Sequence, residues 1–242
     1  MLERDKRKSQ KEALKKQGVK YLHQRIYPQE YDVDSLTPLL ESFNIPLTDW
    51  GRNGTKTVAN LLQELLDGES QLHVYERVEN GVVSGKELLR KVTKARIRVV
   101  FREGNNNWQE LYQIFTQDSQ GNPIPDDKPV LSGVLEKIIP GEKINDAISR
   151  AFREELKIEL SEDELKSIIR FGRTTDFRPS HGFPGLNTLY TIYPGIFMMP
   201  DLHHQSEHDF EEKTGLKGKF IWRPIESISE CFYLNGKFGI TK

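Results

Sequence analysis

Apolar and polar positions along the chain change period several times, and each change predicts an element. In "DSLTPLLESFNI" the apolar residues recur at helical spacing, with Asp34 or Ser35 as the cap. "GTKTVANLLQELLDGE" predicts a second helix, with Thr55 as its cap, Val58, Leu61, Leu62 and Leu65 as its stripe, and Gly68 as its stop. The period then shortens to two. "QLHVYERV" reads as a strand running to an Asn80-Gly81 turn, and "VTKARIRVVF" and "WQELYQIFTQ" form a further hairpin. "DSQGNPIPDDKP" is a polar loop, after which "VLSGVLEKIIPGE" leads from a short strand into a helix over 141–160. Ser161 and Glu164 have capping-box spacing for a short helix ending near Ile169. "IIRFGRTTDFRP", "LNTLYTIYPGIFMM" and "KGKFIWRPI" supply three more strands, with "DLHHQSEHDFEEKTG" as a polar loop between the last two. No repeats occur, and the mixture of strands with few helices predicts an α+β sandwich.

The 141–160 helix holds one anomaly. Ile144, Ile148, Phe152 and Leu156 recur every fourth residue, flanked by Ala147 and Ala151, while Asp146, Ser149, Arg150 and Arg153 occupy the opposite side. Glu155 falls between Ile148 and Ala151, within the apolar stripe, and Glu154 lies beside it. A carboxylate turned toward an apolar setting requires a cation or strong hydrogen bonds.

Composition narrows the classes. The 242 residues suffice for one large domain, or a domain with an appendage. Lys and Arg number 35 against 36 Asp and Glu, so no global field draws the chain to nucleic acid or membrane. The first 20 residues are dominated by Arg4, Lys6, Arg7, Lys8, Lys11, Lys15 and Lys16 and read as a solvent-exposed basic helix or tail. The lone Cys231 excludes an internal disulfide framework. The uncharged stretch from Gly182 to Pro200 is broken by Pro184, Pro194 and glycines, which favours strands and turns over a membrane span. No signal peptide is visible, and the expected compartment is the cytoplasm. The expected organisation is a basic segment over 1–20, a helical lobe over 21–70 and the main domain over 71–242.

The helix and its lead-in resemble the Nudix box, whose pattern is Gly, five residues, Glu, seven residues, Arg-Glu-aliphatic-any-Glu-Glu-any-Gly-aliphatic. With the first Glu set on Glu142, Arg150 takes the Arg position, Phe152 the aliphatic, Glu154 and Glu155 the paired glutamates, and Ile158 the last aliphatic. The chain departs from the pattern at Glu136 and Lys157, where glycines belong, and at Ala151, where the first helical Glu belongs. The box spans 136–158, about a tenth of the chain. What the resemblance implies is a Nudix-like α/β/α sandwich with a mixed sheet, and magnesium-dependent hydrolysis of a nucleoside diphosphate linked to another group.

Residue by residue, it makes Glu154 and Glu155 metal ligands, with Mg2+ or Mn2+ as the ion. Arg150, one turn before Glu154, is spaced either to pair with it and orient the carboxylate or to form an ordinary surface ion pair. Glu159, one turn after Glu155, and Glu142 are candidates for the carboxylate missing at Ala151. Magnesium is commonly held by one or two carboxylates plus substrate phosphate oxygens, so two glutamates can suffice. Arg170, Arg173 and Arg178, with His181 nearby, are candidate clamps for the phosphates of a nucleotide-type substrate. Phe171, Phe177 and Tyr190 are candidates for stacking a base or for the core. His203, His204, Glu207, His208 and Asp209 offer a transition-metal site or a general base, although adjacent His residues on an extended chain point opposite ways. The rival to hydrolysis is a Nudix-fold protein that has lost it and binds a nucleotide or protein partner.

Overall fold

The computed structural model describes residues 19–228, except 53, 80–81, 105–106, 118–120, 125–130, 206, 212–214 and 216. At 19–23, 78–79, 131 and 208 it describes the backbone alone. The basic N-terminal run, the Asn80-Gly81 turn and Cys231 therefore lie outside the described residues. The chain is a mixed α+β protein of two compact units, the first from Met1–Thr93, Ile139–Gly141 and Thr175–Ile192, the second from Lys94–Ile138, Glu142–Thr174 and Tyr193–Lys242. Among the described residues no helix is long and apolar enough to cross a membrane.

In the first unit, strands β1 (Val19–Ile26), β2 (Gln71–Glu79) and the first half of β3 (Val82–Glu103) form an antiparallel ladder. Helices α1 (Val33–Ser42) and α2 (Val58–Leu66) lay their stripes on it. Leu36, Leu40, Leu61, Leu62 and Leu65 pack with Ile26, Leu72, Val74, Leu88, Trp50 and Phe183. Both helices start later or earlier than the sequence suggests. Asp32, not Asp34 or Ser35, caps α1, and Ser35 returns a bond to the Asp32 backbone. Thr57, not Thr55, caps α2, paired in the same way with Asn60. In both cases a side chain three residues into the helix closes the box, satisfying two orphan backbone donors at once. Gly68, at φ 74°, stops α2 as expected.

In the second unit, the far end of β3 pairs antiparallel with β4 (Asn107–Gln117) and β6 (Val134–Lys137). Strand β4 in turn pairs with β11 (Lys217–Ile225) and with the two-residue β5 (Leu131–Ser132). Strand β10 (Glu207–Glu211) pairs with β11, so the segment expected to be a polar loop holds a strand and a short turn at Asp201–His203. Its Phe210 explains the difference, since that ring is buried against Phe220 and Phe115. Strand β7 (Ile169–Arg170) follows α4 (Glu162–Ser167), whose Ser161–Glu164 capping box is present; β8 (Thr174–Pro179) and the first half of β9 (Asn187–Met198) fall almost wholly in the first unit, and β9 ends in the second. Gly133 lets this sheet close. A Cβ there would lie 2.1 Å from the Ile97 carbonyl oxygen.

The expected 141–160 helix is shorter. Helix α3 covers Ile144–Ala151, continues as one π-turn over Phe152–Leu156, and ends at Lys157 in the left-handed region at φ 58°. Its stripe is as read, with Ile148, Phe152 and Leu156 buried in the core formed with Ala95, Ile97, Val99, Leu111, Phe197 and Phe220.

Candidate active site

The best-organised polar cluster in the second unit centres on Arg150, in the last turn of α3. Its Nη1 donates to Glu136 Oε1 at 2.8 Å, and its Nη2 donates to the Lys137 carbonyl at 2.9 Å. Nη2 also lies 3.0 Å from each oxygen of Glu142. One guanidinium thus ties the end of β6, the turn leading into α3 and the helix itself. A planar donor fork suits this, because it serves several acceptors without reorienting. Glu136 also accepts from the Lys137 N–H at 2.8 Å.

The expectation that Arg150 orients Glu154 is therefore corrected. Arg150 pairs with Glu136 and Glu142, which lie N-terminal to it, and helical side chains lean in that direction. The pairing also engages Glu142, one of the two acids that could have replaced the carboxylate lost at Ala151. Burial pushes the Glu136 carboxyl up, with the nearby Glu154 charge adding to it, while Arg150 and the Lys137 N–H pull the other way.

The paired glutamates sit on the π-turn. Glu154 is exposed and Glu155 half-buried, so Glu155 emerges further from the stripe than a regular helix predicts. A π-turn closes its hydrogen bonds over five residues and is frequent at functional sites. Lys157 Nζ donates to the Glu154 carbonyl at 2.8 Å, holding the end of the turn. Glu159 does not follow Glu155 on one helix, since the chain reverses at Lys157. Its side chain, 74% exposed, lies 4.0 Å from Arg153. Ala151 is buried, 1% exposed, within the core.

The arginines play separate parts. Arg170 donates to the Asn145 side-chain oxygen and, at 3.3 Å, to the Leu165 carbonyl, tying β7 to α3 and α4. Arg173 is half-buried in the second unit. Arg178 belongs to the first unit, where it pairs with Asp176 at 3.2 Å and lies over the Tyr190 ring at 5.0 Å. The stacking candidates take core positions: Phe177 packs on Tyr75, Leu89 and Leu189, Phe171 on Val100 and Ile196, and Tyr190 is buried. His181 is exposed.

The two adjacent histidines do point apart. His203 Nε2 lies 2.8 Å from Glu164 Oε1, while His204 stacks on Phe101, with ring centroids 3.8 Å apart, and lies beside Trp222. Trp222 donates to the Gln205 carbonyl at 2.6 Å, which fixes this segment on β11. The side chain of His208 is outside the described set. Among the described residues no group of three or more His, Cys, Asp or Glu side chains is placed to hold a metal ion.

Glu154 and Glu155 are thus two carboxylates on one turn, with no third acid or histidine placed beside them among the described residues to complete a metal site.

No protein-family profile and no curated protein matches the chain. Among solved structures, the MutT mutator protein from Bacillus halodurans is similar with a TM-score of 0.33 and 16% identity, over 55% of this chain and 68% of its own. The Ap4A hydrolase of C. elegans is similar with a TM-score of 0.31 and 15% identity, over 61% of this chain and 95% of its own.

Proposed function

We propose that the protein is a weak divalent-metal-dependent hydrolase of a nucleoside diphosphate linked to a second group, acting at Glu154 and Glu155. The observation that carries this reading is the Arg150 clamp. It ties strand end, turn and helix together immediately before the two paired carboxylates. A magnesium ion carried on the diphosphate would be held by Glu154 and Glu155 and would neutralise charge on the phosphate oxygens. Arg150 supplies positioning and does not touch the substrate, because its donors are taken by Glu136, Glu142 and the Lys137 carbonyl. Arg170 and Arg173, both in the second unit with Glu154 and Glu155, are the arginines proposed to meet the phosphates.

The test is the appearance of nucleoside monophosphate, read by chromatography, from nucleotide sugars, dinucleotides and capped RNAs in magnesium, by the native chain and by Glu155→Gln. Loss of a metal ligand should lower activity by about two orders of magnitude, at or beyond the 10–100-fold cost of disturbing a ligand's outer partners. Magnesium-dependent turnover that Glu155→Gln leaves unchanged would remove the reading.

A second reading, binding without turnover, is favoured by Ala151, where an apolar methyl group fills the core in place of a third carboxylate. It predicts nucleotide binding by the native chain with no hydrolysis of any of the three substrate classes.

A further inference from the structure

We propose that Arg25, His73 and Lys91, on one sheet face of the first unit, form a binding site for a phosphoryl-type oxyanion. The three residues stand on three successive strands. Arg25 of β1 is directly opposite His73 of β2, and Lys91 of β3 is directly opposite Gln71, which places it diagonal to His73. Neighbouring strands lie about 4.8 Å apart, so the long side chains of Arg25 and Lys91, about 10 Å apart at their strands, have the reach to converge on one tetrahedral anion over His73. Ile26, Leu72 and Leu88 mark the opposite, core-facing side of these strands, so the alternation places the two cations and the imidazole together on the other side.

What marks this cluster is missing compensation. Among the described residues, the charges that act on His73 are those of Lys91 and Arg25, and the charge that acts on Lys91 is that of Arg25, with no carboxylate among them. Gln71 Oε1 lies 3.2 Å from His73 Nε2, and the Arg25 guanidinium rests over the Tyr27 ring at 5.5 Å, which leaves its N–H edge able to donate. Opposite His73, Leu89 joins Tyr75, Leu189 and Phe177 in a small apolar cluster. Cations held beside such a surface are poorly solvated, and an anion gains more from them than in bulk water. A phosphoryl group offers three terminal oxygens to donors on three strands, whereas a planar carboxylate offers two.

The same surroundings set the pH dependence. Burial first, then the Lys91 and Arg25 charges, depress the His73 imidazole to about 4. Burial and Arg25 depress the Lys91 ammonium to about 8. A bound oxyanion reverses the charge part of both effects, so affinity falls as the pH rises above about 8 and Lys91 loses its proton.

The experiment is calorimetric titration of the full-length chain, at chloride-matched ionic strength, with inorganic phosphate at pH 7 and with sulfate, a tetrahedral anion of constant charge, at pH 7 and pH 9. Saturable binding is expected at pH 7 and weaker binding of sulfate at pH 9. Lys91→Gln and Arg25→Gln should each weaken it about ten-fold, the value of one charge-assisted hydrogen bond, while Lys219→Gln in the second unit leaves it unchanged. Non-saturable heats from the native chain, or undiminished affinity in Lys91→Gln, overturns the proposal. If the variants do not fold, the His73 imidazole NMR titration of the native chain decides. Its midpoint rises in phosphate if the site exists and stays put if it does not. Adenosine monophosphate separates the sources. Tighter binding than phosphate identifies a nucleotide read partly by Tyr27, and equal binding identifies the oxyanion alone. Either supports the site.

Discussion

Replacing Arg150 by Met tests the organisation of the candidate site, because the substitution keeps the stem and removes the fork. Three groups lose their donor together: the Glu136 carboxylate, the Glu142 carboxylate and the Lys137 carbonyl. Removing one partner of a fully buried ion pair costs about 3–5 kcal/mol, and an orphaned buried acceptor about 1–3 kcal/mol. Here the Arg150, Glu136 and Glu142 side chains retain 25%, 18% and 12% of their exposure, so water relieves part of that cost. A loss of about 2–4 kcal/mol at pH 7.5 follows, read from the urea midpoint at constant slope.

The pH dependence makes the test specific. Glu136 is already raised above its unfolded value by burial and by Glu154, and Arg150 is the main force opposing that rise. A carboxyl whose folded pKa is raised favours the folded state below its unfolded pKa and loses that contribution as the pH climbs through the folded value. Without Arg150 the rise is larger, so the cost of Arg150→Met must shrink between pH 7.5 and pH 5. Arg150→Lys, which keeps the charge and loses the fork, should fall between native and Met. A cost under about 0.5 kcal/mol, the range of an ordinary surface substitution, or a cost independent of pH, would refute the clamp.

Other outcomes follow from the same structure. Glu110→Leu removes the buried carboxylate that Arg98 pairs with in the second unit and should cost about 3–5 kcal/mol; the double variant with Arg98→Met should recover most of it, as a denaturant double-mutant cycle would show. Lys157→Gly removes a left-handed non-glycine residue but also the Nζ bond to the Glu154 carbonyl, for a net gain of about 0.5 kcal/mol in thermal unfolding. Ala151→Glu forces a carboxylate into a fully buried position and should lower stability by about 2 kcal/mol or more in EDTA. If the new acid reaches an ion shared with Glu155, magnesium should restore part of the loss.

Local signals were legible in the sequence wherever one segment carries its own periodicity. The α2 stripe, the Ser161–Glu164 box and β11 are found where apolar spacing places them. The caps were displaced by two or three residues because Asp, Ser and Thr cluster near both starts, and only the residue three positions on decides which of them closes a box. Strand β10 was hidden because a single apolar residue, Phe210, carries its burial amid acids and histidines. The π-turn was invisible, since the wheel assumes four-residue closure throughout. Pairings across strands were also out of reach: that Arg25 stands opposite His73 is a matter of register, which no single segment encodes.

Glu136, read in the sequence only as a departure from glycine, is the residue that gives the remaining departures a common physical sense. Against the box pattern, one carboxylate is gone from the helix at Ala151 and one has been gained on the strand at Glu136. The count of acids around the helix end is conserved while their placement is not. Glu136 is close enough to Glu154 to feel its charge, yet Arg150 and the Lys137 N–H hold it. Arg150 thereby faces two acids, Glu136 and Glu142, and the helix core gains a methyl group in place of a charge. Such an exchange favours a rigid strand–turn–helix junction over a deep, resident metal cage. It suits the proposed ion that arrives on its substrate, and it leaves the paired glutamates available for the role proposed for them.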